Sequence, residues 1–232
     1  MNIQILYQDD AIVVINKPSG LLSVPYEGCS AKTAIQILEN MMRKNGTYSK
    51  NHRPFAVHRL DRDTSGVMVF ALNENIQKKM MNNWQSIVTE RLYVAVSENG
   101  KGKKIDDAGT IDSPLSFNAY HVGYVAKGKD KNAKSTVGAV THYKVIARGK
   151  FYTMFELDLE TGKKNQIRAH LSSIGFPIAG DKNFRAKTDP FGRLALHARS
   201  LEFFHPVTNK KLKFEVDQGE SWLKVVTGSH KD

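Results

Sequence analysis

This sequence predicts an α+β fold, with a mixed, mostly antiparallel central sheet and flanking helices and loops. Three observations lead to that class. Short apolar runs rich in β-formers outnumber the helical periodicities. Two pairs of those runs are joined by brief polar turns, at Arg148-Gly149-Lys150 and at 206–211. Strands and helices do not alternate as a doubly wound parallel sheet requires.

The elements follow in order. Ile12 to Asn16 reads as a strand ended by the turn Lys17-Pro18-Ser19-Gly20. Ser30 is a candidate cap for a helix to about Lys44, with Ala34, Leu38, Met41 and Met42 at helical spacing and Gly46 just past its end. Residues 43–53 form a polar, basic connector. Val67 to Leu72 is a buried strand. Ile76, Met80 and Trp84, four apart, predict one amphipathic helix over 75–85. Leu92 to Ser97 is a further strand. From Gly100 to about Lys134 the chain is rich in Gly, Lys, Asp and Asn, and is expected to be long loops with one strand near Gly109 to Leu115. Strands are predicted at 143–147 and 151–159; in the second, Phe151, Thr153, Phe155, Leu157 and Leu159 share a face. A helix over 165–174 carries Ile167, His170, Leu171 and Ile174 on one side and ends at Gly175 and Pro177. Leu194 to Phe204 and Leu212 to Val216 make the last strand pair.

The 232 residues carry 34 Lys and Arg against 23 Asp and Glu, a formal charge of +11. Such a surplus suits a polyanionic partner, because each cation set against a phosphate releases counterions. A generally basic protein with no such partner is the other reading. The single cysteine, Cys29, forms no disulfide within the chain and builds no cysteine zinc site; it reads as a plain loop residue. The first ten residues lack the basic-then-apolar pattern of a signal peptide, and no apolar run approaches a membrane span. The sequence thus predicts a soluble cytoplasmic protein without a membrane partner.

Several chemistries lack their motifs. There is no phosphate loop, no GxGxxG after a strand, no His-Glu-x-x-His and no Gly-x-Ser-x-Gly elbow. The expectation is therefore no cofactor and no metal. Two segments stand out instead. His58-Arg59-Leu60-Asp61-Arg62-Asp63-Thr64-Ser65-Gly66 runs straight into a buried strand, which can hold an ionised carboxylate against a substrate. A surface loop with weak Arg–Asp pairs explains the same residues. Thr161-Gly162-Lys163-Lys164-Asn165-Gln166-Ile167-Arg168 gathers cations at a helix start, where free N–H groups favour anions. Lys163 and Lys164 fit a solvated helix end, Arg168 flanks the apolar stripe, and His170 lies within it as a packing histidine.

His58-Arg59-Leu60-Asp61-x-x-Thr64-Ser65-Gly66 resembles the signature of the RluA-type pseudouridine synthases. Further segments agree in order: Asn16 to Pro25, Arg91-x-Tyr93-x-Ala95, Gln166-Ile167-Arg168-x-His170 with Gly180-Asp181, and Leu196-His197-Ala198 before His205-Pro206. The resemblance spans nearly the whole chain. It implies the pseudouridine synthase fold and the isomerisation of uridines in ribosomal or transfer RNA. It also implies roles: Asp61 as the nucleophilic aspartate, Tyr93 stacked on the target base and sharing in proton removal, and Arg168 paired with Asp61. Arg59 would fill the gap left by the flipped uridine. Arg62, Lys163 and Lys164 join it as RNA-binding residues. Asn165 departs from the family's usual His. Tyr93 also fits a plain core role in its alternating strand.

Residues 1–232 are expected to be one catalytic domain without a separate N-terminal RNA-binding domain, acting as a monomer with no obligatory protein partner. The basic stretch 101–134 is expected to help select structured RNA. Two other readings are a non-catalytic RNA-binding protein of the same fold, and a glycosidase. The glycosidase needs a second carboxylate as acid, with Asp63 the nearest by sequence.

Overall fold

The computed structural model describes residues 3–28, 30–126 and 136–228. Cys29 and residues 127–134 of the basic stretch lie outside the described residues. The chain runs β1 (Gln4–Gln8), β2 (Ile12–Lys17), α1 (Ala34–Lys44), β3 (Phe55–Ala56), β4 (Ser65–Ala71), α2 (Glu74–Asn82), α3 (Trp84–Ile87) and β5 (Val88–Glu98). It continues through β6 (Ala108–Asp112), β7 (Leu115–Phe117), β8 (Gly123–Val125), β9 (Val140–Arg148), β10 (Tyr152–Leu159) and α4 (Gln166–Ser173). A 3-10 turn at Lys182–Phe184 precedes β11 (Leu196–Phe204), β12 (Lys211–Glu215) and α5 (Ser221–Thr227).

Contacts divide the chain into two compact units, and the chain passes between them within β5, within β11 and again between β12 and α5. The first holds residues 1–91 and 198–217. There β2 pairs antiparallel with β1 and with β4, β3 adds to β4, and β12 pairs antiparallel with β11. All seven residues of β4 are buried, so both of its faces are covered. This is why its sequence is a continuous apolar run and not an alternation. Its core joins Ile12, Val14, Val67, Val69, Met80 and Phe203.

Two expectations need correction in this unit. The cap of α1 is Thr33, not Ser30: Thr33 Oγ1 accepts from Gln36 N at 3.3 Å while Gln36 Oε1 accepts from Thr33 N at 3.0 Å. That reciprocal pair satisfies two helix-end donors, which a serine three residues earlier cannot reach. The single helix over 75–85 is two. Asn83 ends α2, and its side-chain amide donates to the Lys79 carbonyl at 2.8 Å. Such local bonding competes with helix continuation.

The second unit holds residues 92–197 and 218–232. Its strands run β5-β10-β9-β6, each pair antiparallel. Phe155, Leu157 and Leu159 of β10 face the core as the alternation requires, whereas Phe151 falls in the preceding turn and is 66% exposed. Ile167 and Leu171 of α4, and Trp222 and Val226 of α5, complete that core. Within the region expected to be loop, β7 and β8 form a separate antiparallel hairpin. Each has three residues, too few to show a periodicity. The strand-rich, mostly antiparallel architecture with few helices is the predicted α+β class.

Candidate active site

The motif loop sits between β3 and β4 in the first unit, and it is held by a segment to which the sequence assigned no role. Lys17, at the end of β2, is fully buried. Its Nζ donates to the carbonyl oxygens of Pro18 (3.1 Å), Leu21 (2.7 Å) and Arg62 (3.0 Å). An ammonium has three protons, and each finds an acceptor here. Ser19 Oγ donates to the Asp63 carbonyl at 2.7 Å. Ser23 Oγ donates to the Leu60 carbonyl at 2.8 Å and accepts from Leu60 N at 3.2 Å. The Lys17-Pro18-Ser19-Gly20 turn therefore grips the backbone on both sides of Asp61. Thr64 N donates to the Asp61 carbonyl at 3.2 Å, which closes a tight turn.

Side chains sort themselves along this turn. Leu60 is buried, Asp61 is half-buried, and Arg59 and Arg62 are exposed. Arg62 Nε lies 3.0 Å from Asp63 Oδ1 at the surface. This is a weak surface ion pair of the kind a surface loop carries. His58 Nε2 accepts from Val69 N at 3.1 Å, and its ring stacks on Trp84 at 4.7 Å. Burial, and then the nearby Arg91 charge, lower its pKa from 6.5 to about 3. It is a neutral packing residue that ties the loop to β4. Gly66 has φ +115, and a Cβ there would overlap the Ala198 carbonyl oxygen. Only glycine lets β4 start this close to β11.

Tyr93 and Arg168 belong to the second unit. Tyr93 lies on β5 opposite Leu157 of β10, is half-buried, and packs against the core that takes Ile167 and Leu171. Arg168 leaves α4 13% exposed and meets the buried Asp181 in a fork: Nε to Oδ2 at 2.7 Å and Nη2 to Oδ1 at 2.9 Å. The Phe184 ring lies 4.7 Å from its guanidinium carbon. Planar two-bond pairing plus ring contact fixes the guanidinium in place. The motif Gly180-Asp181 assigns Asp181 no role; its place directly after Gly180 is the signal in the sequence. Gly180 has φ +79, and a Cβ there would overlap the Arg193 carbonyl, so the turn that delivers Asp181 needs glycine.

The approach to α4 is built from buried polar groups. Gln166 Nε2 donates to Val140 O and to Thr141 Oγ1, both at 2.9 Å. Its Oε1 accepts from Lys163 N at 2.9 Å and from Thr161 Oγ1 at 2.8 Å. His170 bridges Thr141 Oγ1 and the Ser113 carbonyl, both at 2.9 Å, and burial lowers its pKa. It is the satisfied packing histidine that the sequence suggested. Asn165 sits in the left-handed region at φ 59, and its Oδ1 accepts from Gly123 N at 3.3 Å. Asn tolerates that conformation where a β-branched residue would not. Lys163 and Lys164 are exposed.

Among the described residues, no group of three or more His, Cys, Asp or Glu is placed to hold a metal ion, and no helix is long and apolar enough to cross a membrane.

Residues 11–173 match the family model for RNA pseudouridylate synthase. Ribosomal large subunit pseudouridine synthase D of Pseudomonas aeruginosa is 33% identical over 239 residues, covering 96% of this chain and 70% of that protein. tRNA pseudouridine synthase C of Vibrio parahaemolyticus is 31% identical over 247 residues, covering 98% of this chain and 95% of its own. The solved human RNA Pseudouridylate Synthase Domain Containing 4 has the same fold, with a TM-score of 0.72 at 24% identity over 95% of this chain and 90% of that one. The chain belongs to the RNA pseudouridylate synthase family. Within that family it is of the RluA type.

Proposed function

We propose that this chain, a single catalytic domain over residues 1–232, isomerises specific uridines to pseudouridine in ribosomal or transfer RNA. The observation that carries the reading is Asp61 on a turn clamped by Lys17, Ser19 and Ser23, within the span matched by the family model.

The reaction breaks the bond between uracil N1 and the sugar, turns the base, and joins C5 to the same sugar carbon. N1 gains a proton and C5 loses one, so no redox partner or energy carrier is consumed. Asp61 serves as the carboxylate that attacks as the glycosidic bond breaks. Arg168 keeps it ionised and oriented, because a guanidinium beside a carboxylate favours the charged form. Tyr93 stacks on the base and helps remove the C5 proton.

Reaching the base requires flipping it from the stack, at a cost of a few kcal/mol. Arg59 is exposed and flat, which suits it to the vacancy. Arg62, Lys163 and Lys164, all exposed, bind phosphates. We read the protein as a cytoplasmic monomer that needs no protein partner and no cofactor.

RNA carrying tritium at uridine C5 tests this directly. Wild-type protein should release the label without releasing uracil. Asp61→Asn should abolish release, and Tyr93→Phe and Arg168→Gln should each slow it at least about a hundredfold. Release by Asp61→Asn at the wild-type rate would overturn the mechanism, and free uracil as product would point to a glycosidase.

A further inference from the structure

The second unit carries a cleft of about 400 Å³ between the β7–β8 hairpin, the outer face of α4 and the 3-10 turn. Catalysis as described makes no use of it. Asn118, Tyr124, Ser172, Asn183, Phe184 and Arg185 are among its walls, and among the described residues no carboxylate lines it. Phe184 is the same ring that lies against the Arg168 guanidinium. The cleft thus abuts the support of a residue proposed to act on the uridine. Arg185, one of its walls, is exposed; exposed Lys182 directly precedes the wall residue Asn183, and the backbone of exposed Lys164 approaches Gly123.

The hairpin tip is exposed yet firmly built. Asn118 Oδ1 accepts from Tyr120 N and Val122 N, both at 3.0 Å. Asn118 N donates to the Val122 carbonyl at 3.1 Å, and His121 N donates to the Asn118 carbonyl at 2.9 Å. These bonds tie the tip backbone down around Asn118. The hairpin is also seated on the approach to α4: a Cβ on Gly123 would stand 2.6 Å from the Lys164 carbonyl oxygen. From this fixed tip the Tyr120 side chain projects 86% exposed, the most exposed of the large apolar side chains described. A tyrosine held out on a stiff backbone loses little entropy on stacking, and its ring accepts any base.

We propose that the cleft and the Tyr120 tip bind an unpaired nucleotide of the RNA that flanks the target uridine. Tyr120 stacks on a base, while Arg185, with Lys182 and Lys164, holds the phosphates. A volume of about 400 Å³ admits one nucleotide and no folded element. Arg185 in the wall, with lysines close by in the chain, favours a polyanion over a neutral or basic peptide. The inference rests on RNA being the substrate, as proposed above.

The test uses total RNA from cells lacking the gene, labelled with tritium at uridine C5, and measures label release at several RNA concentrations. For Tyr120→Ala, KM should rise about tenfold with kcat within about twofold of wild type, the loss expected for one stacked base. Tyr120→Phe keeps the ring and should stay within about twofold in KM. Arg185→Gln should raise KM and flatten its salt dependence by about one phosphate contact. An unchanged KM for Tyr120→Ala overturns the proposal and leaves the tip to a different partner, such as a protein. An equal loss in Tyr120→Phe also overturns it, because stacking would not be the cause. If wild-type protein releases no label from this RNA, the functional reading fails and this inference falls with it; active wild type with unmoved KM sinks this inference alone.

Discussion

Replacing His58 by Gln should make the first unit less sensitive to acid. His58 is held neutral, with its pKa lowered from 6.5 to about 3 by burial and by Arg91. Its Nε2 accepts from Val69 N at 3.1 Å, a bond that a glutamine carbonyl can replace without titrating. The folded pKa lies below the unfolded one. Between about pH 6.5 and 3 the unfolded chain therefore binds more protons, and stability falls as the pH drops through that window. At pH 5, 1.5 units below the ordinary value, the loss is about 2 kcal/mol at roughly 1.4 kcal/mol per unit. At pH 7.5 it is negligible. Urea unfolding at both pH values should show the wild type losing about 2 kcal/mol more than His58→Gln. Fluorotryptophan NMR separates the units, because Trp84 lies in the first and Trp222 in the second. Equal pH dependence in both proteins would show that His58 is not held as a neutral ring.

Other expectations follow from single contacts. Gly66→Ala should cost at least about 2 kcal/mol, from a left-handed φ and overlap with Ala198. Gly20→Ala, with φ +82 but open space around it, should cost about 1 kcal/mol by urea midpoint; equal costs would refute the role of close approach. Asp181→Asn breaks the fork on Arg168 and should lower kcat about a hundredfold with little change in KM. A kcat within threefold of wild type would remove Asp181 as a positioning residue. Lys17→Met leaves three loop carbonyls without their donor and should destabilise the first unit by about 3 kcal/mol. Wild-type stability in that variant would mean that the clamp is unnecessary.

The elements legible in the sequence were those with long apolar patterns. β2, β4, β5, β9, β10, β11 and α4 all carry runs or periodicities that tertiary contacts then reinforce. β1 was missed because its exposed edge, Gln4 to Gln8, alternates weakly. The β7–β8 hairpin was missed because its strands are too short and lie in a polar stretch. The proposed roles of Asp61, Tyr93 and Arg168 rest on resemblance to a family, since charge and spacing alone could not separate the motif loop from a surface turn. Lys17 was invisible as a clamp. A lysine after a strand reads as a turn signal, and only the fold shows its Nζ reaching the Arg62 carbonyl, 45 residues away in sequence. Asp181 was hidden for the same reason: its partner Arg168 lies 13 residues back, across a helix end.

Pseudouridine mapping in cells lacking the gene bears most directly on the central claim. Ribosomal and transfer RNA from those cells should lack pseudouridine at one or a few positions that the parent strain modifies. Wild-type protein supplied in trans should restore them, and Asp61→Asn, produced at the same level, should not. Restoration by Asp61→Asn, or an unchanged map in cells without the gene, would contradict the assignment of this chain as an Asp61-dependent pseudouridine synthase.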